Sequence, residues 1–138
     1  MRWLNSQVPY RYTAIFAFAG DTLRNICLID KENVEIANCC DQPVTDSYCI
    51  YIYRSGQRFS VEQALLDKRV AGHPRQSNYQ CYYGIPLVNG QGKLLGTVCH
   101  FGTSPIQVTD DVVTALDDLA PFIAEMAFSQ DFRGLIAQ

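Results

Sequence analysis

The sequence has few of the residues that build metal sites, membrane spans or nucleic-acid-binding surfaces. Its 138 residues contain only two histidines and no C-x-x-C pair, so the ligand spacing of a structural zinc site is missing. The 11 lysines and arginines are scattered and outnumbered by 14 aspartates and glutamates, which argues against a nucleic-acid partner. The longest apolar run, residues 13–19, is far shorter than the roughly 18 residues of a membrane span, so we expect no membrane insertion.

Cysteine is the one reactive residue type that the chain has in number, but its pattern does not indicate disulfides. The six cysteines are spread over apolar segments, at positions 27, 39, 40, 49, 81 and 99. A secreted disulfide scaffold would be shorter and richer in loops, and the first residues lack the apolar middle of a signal peptide. We therefore expect free thiols, a cytoplasmic location and one domain spanning residues 1–138.

The first half of the chain begins with a strand pattern. Residues 11–18 alternate between two faces, with Tyr12, Ala14, Phe16 and Phe18 on one of them, which predicts a strand. Gly20-Asp21 supplies a turn, and residues 23–30 form a second run of strand length, so an antiparallel hairpin is expected. Residues 31–43 are a polar connection with room for a short strand.

Residues 45–55 carry signals for both strand and helix. The β-branched and aromatic residues 50–53 favour a strand. Thr45 as an N-cap, Arg54 in the last turn and Gly56 just beyond it favour a helix, which we predict. A short strand at 58–64 and a long irregular segment at 65–78 follow.

The second half predicts a hairpin and a long helix. Residues 82–101 are two apolar runs around Asn89-Gly90, which can supply the positive φ angles of a tight turn. Thr109 begins a helix that runs over 109–130, with a broad apolar stripe and Pro121 as the site of a kink. The stripe is wide enough to cover the sheet and still leave Phe122 and Phe128 exposed for contact with a partner. The order of elements predicts an α+β fold with an antiparallel sheet.

Cys99 and His100 are neighbours in the sequence, as a nucleophile and its base would be in some active sites. Successive residues of a strand point to opposite faces, so these two side chains cannot share a hydrogen bond. The sequence therefore argues against a catalytic dyad here.

Two longer segments carry a family resemblance. "SYCIYIYRSGQRFSVEQALLDKRVAGHP" and "YYGIPLVNGQGKLLGTVCHFGTSP", followed by an amphipathic helix, resemble the GAF domain, a small-molecule sensory module of bacterial signalling proteins. The resemblance extends from Tyr12 to Ile123. Its marks are a Ser-Gly turn, an Asp-x-Arg loop motif, a Gly-x-Pro-Leu strand and a Gly-Thr strand, at Ser55-Gly56, Asp67-x-Arg69, Gly84-x-Pro86-Leu87 and Gly96-Thr97.

The resemblance implies terminal helices on one face of a central antiparallel sheet and a ligand pocket on the other. The helix at 45–55 and the loop at 63–80 would roof this pocket. Nine side chains would bind the ligand: Tyr12, Phe16, Tyr82, Cys99 and Phe101 from the sheet, with Cys49, Ile52, His73 and Tyr79 above. Ordinary core packing is an equal alternative for the aromatic ones, and for His73 an exposed loop position is favoured over a ligand contact. The ligand and any cofactor remain unidentified.

Two functions of different class follow from the resemblance. The first is a non-catalytic sensor that binds a small molecule and signals through a homodimer, formed by the terminal helices, or through a partner protein. The second is a free methionine-R-sulfoxide reductase, in which Cys39 or Cys40 would act with Cys49. That enzyme has acidic residues where this chain has Tyr82, Cys99 and Phe101, so a zwitterionic substrate is expected to find no counter-charge. A dimerisation module without a ligand is a third possibility.

Overall fold

A single antiparallel sheet organises the chain, in a computed structural model that describes residues 1–33 and 41–129. Its six strands lie in the order β3-β2-β1-β6-β5-β4. Their bounds are Tyr12–Ala19 (β1), Thr22–Asp30 (β2), Gln42–Pro43 (β3), Phe59–Val61 (β4), Cys81–Val88 (β5) and Leu94–Gly102 (β6). The α-helices in the described ranges are Arg2–Ser6 (α1), Cys49–Ser55 (α2) and Asp110–Phe128 (α3). The predicted α+β fold is confirmed.

Strand alternation divides the interior into two apolar layers. On the helix-bearing face, Ile15, Ile85 and Val98 pack with residues of α1 and α3. On the opposite face, Phe16, Tyr82 and Cys99 pack with α2. The predicted placement of the terminal helices on one face, with Cys99 and His100 on opposite faces, is confirmed.

The helix face contains a buried polar group of side chains instead of a catalytic dyad. Asn5 of α1 donates to Thr13 Oγ1 at 2.8 Å, and Thr13 Oγ1 lies 2.7 Å from His100 Nδ1. The Tyr10 ring stacks on the imidazole with centroids 5.3 Å apart. Burial lowers the pKa of His100 to about 4, so the ring is neutral at pH 7. These contacts fix α1, which the sequence did not predict.

Two predicted local features are wrong in detail. The φ angle is positive at Gly92 (79°), not at Asn89 or Gly90, because the hairpin has a three-residue loop that needs a left-handed residue at its last position. Asn89 Oδ1 accepts from the N–H groups of Gln91 and Lys93 and so holds this loop.

The predicted helix at 45–55 begins late. Val44–Asp46 form a short 3-10 turn, and Ser47 is extended, with φ −123° and ψ 152°. Ser47 Oγ accepts from the Cys49 N–H at 3.1 Å, so Ser47 and not Thr45 prepares the start of α2. Gly56 ends the helix with φ 69°, as predicted.

The strand and loop that follow α2, and the far end of α3, also differ from prediction. The strand expected at 58–64 is limited to Phe59–Val61, and 3-10 turns cover Ala64–Leu66 and Lys68–Val70. Phe122 is 60% exposed, but Phe128 is partly buried against the core and is not available as expected.

Gly96 marks the closest approach of two central strands and gives a test of the fold. A Cβ at this position would lie 1.9 Å from the carbonyl oxygen of Phe16, which is backbone and cannot move aside. We expect Gly96→Ala to lower the free energy of unfolding in urea by about 3 kcal/mol, the upper part of the usual range for overpacking. Gly90→Ala is the matched control, because its Cβ would meet nothing within 4 Å. A loss below about 1 kcal/mol for Gly96→Ala would contradict this packing.

Candidate functional site

A small, largely enclosed cavity lies on the sheet face opposite α1 and α3. Its volume is about 80 Å³. Strand residues form its floor, and residues from 42–48 and 75–79 form its walls and roof. The lining consists of Tyr12, Phe16, Leu28, Gln42, Asp46, Ser47, Tyr48, Arg75, Tyr79, Tyr82 and Phe101. Five of the nine predicted site residues therefore meet here: Tyr12, Phe16, Tyr79, Tyr82 and Phe101.

Aromatic rings make up most of the apolar lining. Tyr12 and Phe101 are stacked, with centroids 4.8 Å apart and planes 20° apart. Tyr79 meets both of them edge-on, at 5.9 and 5.0 Å. Tyr48 and Tyr82 form a second edge-to-face pair at 5.7 Å. Such an arrangement presents ring faces and edges to a flat or apolar group.

Side chains of the 73–79 loop and of Tyr48 tie this roof together. The Arg75 guanidinium donates through Nε to the carbonyl of Asp46 at 2.9 Å, and Tyr48 Oη donates to the carbonyl of Tyr79 at 2.9 Å. Both bonds end on backbone oxygens, so they fix the relative position of two segments that are about thirty residues apart in sequence. The expected roof is present only in part: the loop contributes Arg75 and Tyr79, but residues 46–48, which precede α2, line the cavity where the helix was expected.

His73 belongs to the same set of contacts and does not line the cavity. Its Nδ1 accepts from the Arg75 N–H at 3.0 Å, which leaves the ring proton on Nε2, 3.1 Å from the Ser47 carbonyl. Burial lowers the pKa of His73, in keeping with a neutral ring. The imidazole thus positions the roof, where sequence reasoning expected a ligand contact.

Cys49, Ile52 and Cys99 are also outside the cavity and fully buried, and both cysteines lie against Tyr82. The sulfur of Cys49 lies 3.2 Å from Tyr82 Oη and 3.3 Å from Thr97 Oγ1. Burial by itself would raise the pKa of Cys49, but donors from Cys99, Ser47, Thr97 and Tyr82 outweigh it and lower the pKa to about 7. The pKa of Cys99 is raised well above its usual value by burial. Cys49 and Cys99 thus belong to one buried group of side chains with Thr97 and Tyr82.

Sequence reasoning missed the polar part of the lining. Asp46 and Arg75 both line the cavity, and neither is among the nine predicted binding residues. The signal was weak, because Asp46 read as a first-turn helix residue and Arg75 as one charge in a long loop. A long loop with several polar residues was the only sign that function lies there.

Other parts of the described chain show weaker signs of a functional site. Residues 1–33 and 41–129 contain no group of three or more His, Cys, Asp or Glu side chains that could hold a metal ion. No helix in these ranges is both long and apolar enough to cross a bilayer. A larger groove of about 1000 Å³ lies between the β5–β6 hairpin and α3, but it is open and borders Ser129, where the described chain ends.

Comparison with known proteins identifies the fold. No family model and no curated protein sequence matches the chain. Among solved structures, the type II free methionine-R-sulfoxide reductase of Thermoplasma acidophilum is similar at 13% identity and TM-score 0.70, covering 91% of this chain and 85% of that one. The GAF domain of a Coxiella burnetii phosphoenolpyruvate-protein phosphotransferase is similar at 15% identity and TM-score 0.65, covering 88% and 73%. A GAF/HD domain protein of Geobacter sulfurreducens is similar at 13% and 0.65, covering 99% and 88%. The chain has the GAF fold.

The contact between Tyr82 and Cys49 predicts a shift that NMR can measure. Tyr82→Phe removes one hydroxyl donor from the thiolate, so we expect the pKa of Cys49 to rise from about 7 by about 1. A pH titration of the ¹³Cβ resonance of labelled cysteine follows this thiol separately from the others. Tyr83→Phe is the control, because Tyr83 lies on the helix face and accepts from Arg58. Equal midpoints in wild type and Tyr82→Phe would contradict the assignment.

Proposed function

We propose that this chain is a non-catalytic sensory domain that binds a small molecule in the aromatic cavity. The observation that carries the proposal is the pair of aromatic groups around the cavity, closed by a roof that hydrogen bonds hold together. A flat or apolar ligand would stack between these rings while polar atoms at the rim orient it. Solved structures of the same fold include the GAF domain of a phosphoenolpyruvate-protein phosphotransferase and a GAF/HD domain protein.

The size of the cavity gives the proposal a mechanism. Its 80 Å³ is about half of the roughly 150 Å³ of an engineered protein cavity that binds benzene, so a ligand with one ring enters only if the roof moves. The roof is linked to the start of α2 through Ser47 and Asp46. Binding would therefore shift α2 and the 73–79 loop together, and this shift would be the signal.

We further propose that the signal leaves through a homodimer or a partner protein. Trp3 of α1 is 67% exposed and Phe122 of α3 is 60% exposed, both on helices of the same sheet face. Exposed aromatic residues of this kind are common at protein interfaces. Light scattering at tens of micromolar should then report twice the monomer mass.

The four described cysteines are free thiols, in keeping with a cytoplasmic location.

Ligand binding can be tested through stability. A ligand at about a hundredfold above its dissociation constant adds about 2.7 kcal/mol, or several degrees in melting temperature. We expect Phe101→Ala to remove most of that increase, because Phe101 contacts both Tyr12 and Tyr79 in the cavity. Val88→Ala, which changes an exposed side chain outside the cavity lining, should keep it. If no metabolite in a broad screen raises the melting temperature, a dimerisation module without a ligand becomes the better reading.

The reductase is the second candidate, favoured by one observation: the pKa of Cys49 is lowered to about 7. Its sulfur is nevertheless fully buried beneath Tyr82, where a substrate cannot reach it without a rearrangement. Cys39 and Cys40, its expected partners, lie outside the described residues. We expect no thioredoxin-coupled turnover of free methionine-R-sulfoxide. Turnover that Cys49→Ser abolishes and Cys27→Ser leaves unchanged would establish the enzyme instead.

A further inference from the structure

Arg75 has hydrogen-bonding capacity that the protein does not use. Its Nε donates to the Asp46 carbonyl and its Nη2 lies 3.4 Å from Gln42 Oε1, which leaves three of the five guanidinium N–H groups without a partner in the described chain. No carboxylate within residues 1–33 and 41–129 comes within 4.0 Å of it. The guanidinium is thus held in place at the cavity by neutral groups, with its charge uncompensated.

Asp46 is the complementary case. Asp46 also lines the cavity: its backbone carbonyl accepts from Arg75, while its carboxylate has no hydrogen-bond or ion-pair partner among the described residues. The same short turn therefore brings an unpaired carboxylate and an unpaired guanidinium to one cavity. Both side chains are half-buried, so each loses part of its hydration when the site is closed.

These two charges restrict the ligand. A simple anion would be attracted by Arg75 but repelled by Asp46. A simple cation would be attracted by Asp46 but repelled by Arg75. A zwitterion satisfies both at once, and its uncharged part would lie against Tyr12, Tyr79 and Phe101. The limited volume favours a compact side chain.

We propose that the ligand is a free α-amino acid with a small apolar or planar side chain. Its carboxylate accepts from the free N–H groups of Arg75, and its ammonium donates to the carboxylate of Asp46. This inference rests on the proposed sensory function and names the ligand class of the same cavity.

The test compares free amino acids with derivatives that lack one charge. The twenty L-amino acids are screened by melting temperature, and each binder is compared by calorimetry with its carboxamide and its N-acetyl form. Each derivative should bind about 10- to 100-fold more weakly, as expected for loss of a charged hydrogen bond. Phenol, indole and benzamide form a neutral aromatic panel that probes the cavity without the two charges.

Variants then assign each preference to one side chain. In Arg75→Gln, the free amino acid should no longer bind more tightly than its carboxamide but should still bind more tightly than its N-acetyl form. In Asp46→Asn, it should no longer bind more tightly than the N-acetyl form but should still bind more tightly than the carboxamide. Arg75→Lys should partly restore the first preference. Lys93→Gln and Asp118→Asn, exposed charges far from the cavity lining, should change neither. Each result is a ratio of two dissociation constants measured with the same variant. A general loss of stability would affect both constants alike and leave the ratio unchanged.

The remaining outcomes separate the two proposals. Binding of amino acids with unchanged ratios in both charge variants overturns the assignment to Arg75 and Asp46. Binding of only the neutral panel, lost in Phe101→Ala, overturns the amino-acid class and leaves the sensory function standing. Failure of both panels to bind overturns the amino-acid class, and the broad metabolite screen then decides the sensory function.

Discussion

The central strands β1 and β6 are paired on both edges and covered on both faces, and the rest of the structure depends on this constraint. A polar side chain on either strand cannot form a hydrogen bond with solvent, so its hydrogen-bond partner must lie inside the protein. On the helix face Thr13 Oγ1 contacts both Asn5 of α1 and His100 Nδ1, while His100 Nε2 has no hydrogen-bond partner among the described residues. On the cavity face Thr97 meets the sulfur of Cys49. Each polar strand position thus attaches a separate element to the sheet.

The cavity exists because the roof is attached differently from the core. The sheet and α2 meet through apolar packing and the fully buried contacts of Cys49, whereas the 73–79 loop is joined to residues 46–48 by side chains that reach backbone carbonyls. Packed interiors resist any change of volume, but a few hydrogen bonds at a partly exposed edge can open at modest free-energy cost. The chain therefore combines a rigid floor with a roof that can be displaced.

Sequence reasoning succeeded where a feature depends on neighbouring residues. Alternation along β1, β5 and β6 was enough to assign Phe16, Tyr82 and Phe101 to one face and His100 to the other. It failed where one position is chosen from several locally acceptable ones: Ser47 instead of Thr45 before α2, and Gly92 instead of Gly90 in the hairpin. The charges of the cavity escaped prediction for another reason. Asp46 and Arg75 come from segments that only the folded chain brings together, and neither segment alone has a pattern that indicates contact.

The single tryptophan of the chain has a spectroscopic consequence. Trp3 lies on α1, two-thirds exposed, on the sheet face away from the cavity, and the cavity itself is surrounded by tyrosine and phenylalanine. Indole emission, excited at the red edge where tyrosine does not absorb, therefore reports on the surroundings of the helix layer and not on an occupied cavity. Four of the eight tyrosines, in contrast, line the cavity, so a change in tyrosine absorbance can report on the site. One sample thus carries two optical signals from opposite sides of the sheet, and their timing after mixing with a ligand would separate events in the cavity from events at the helices.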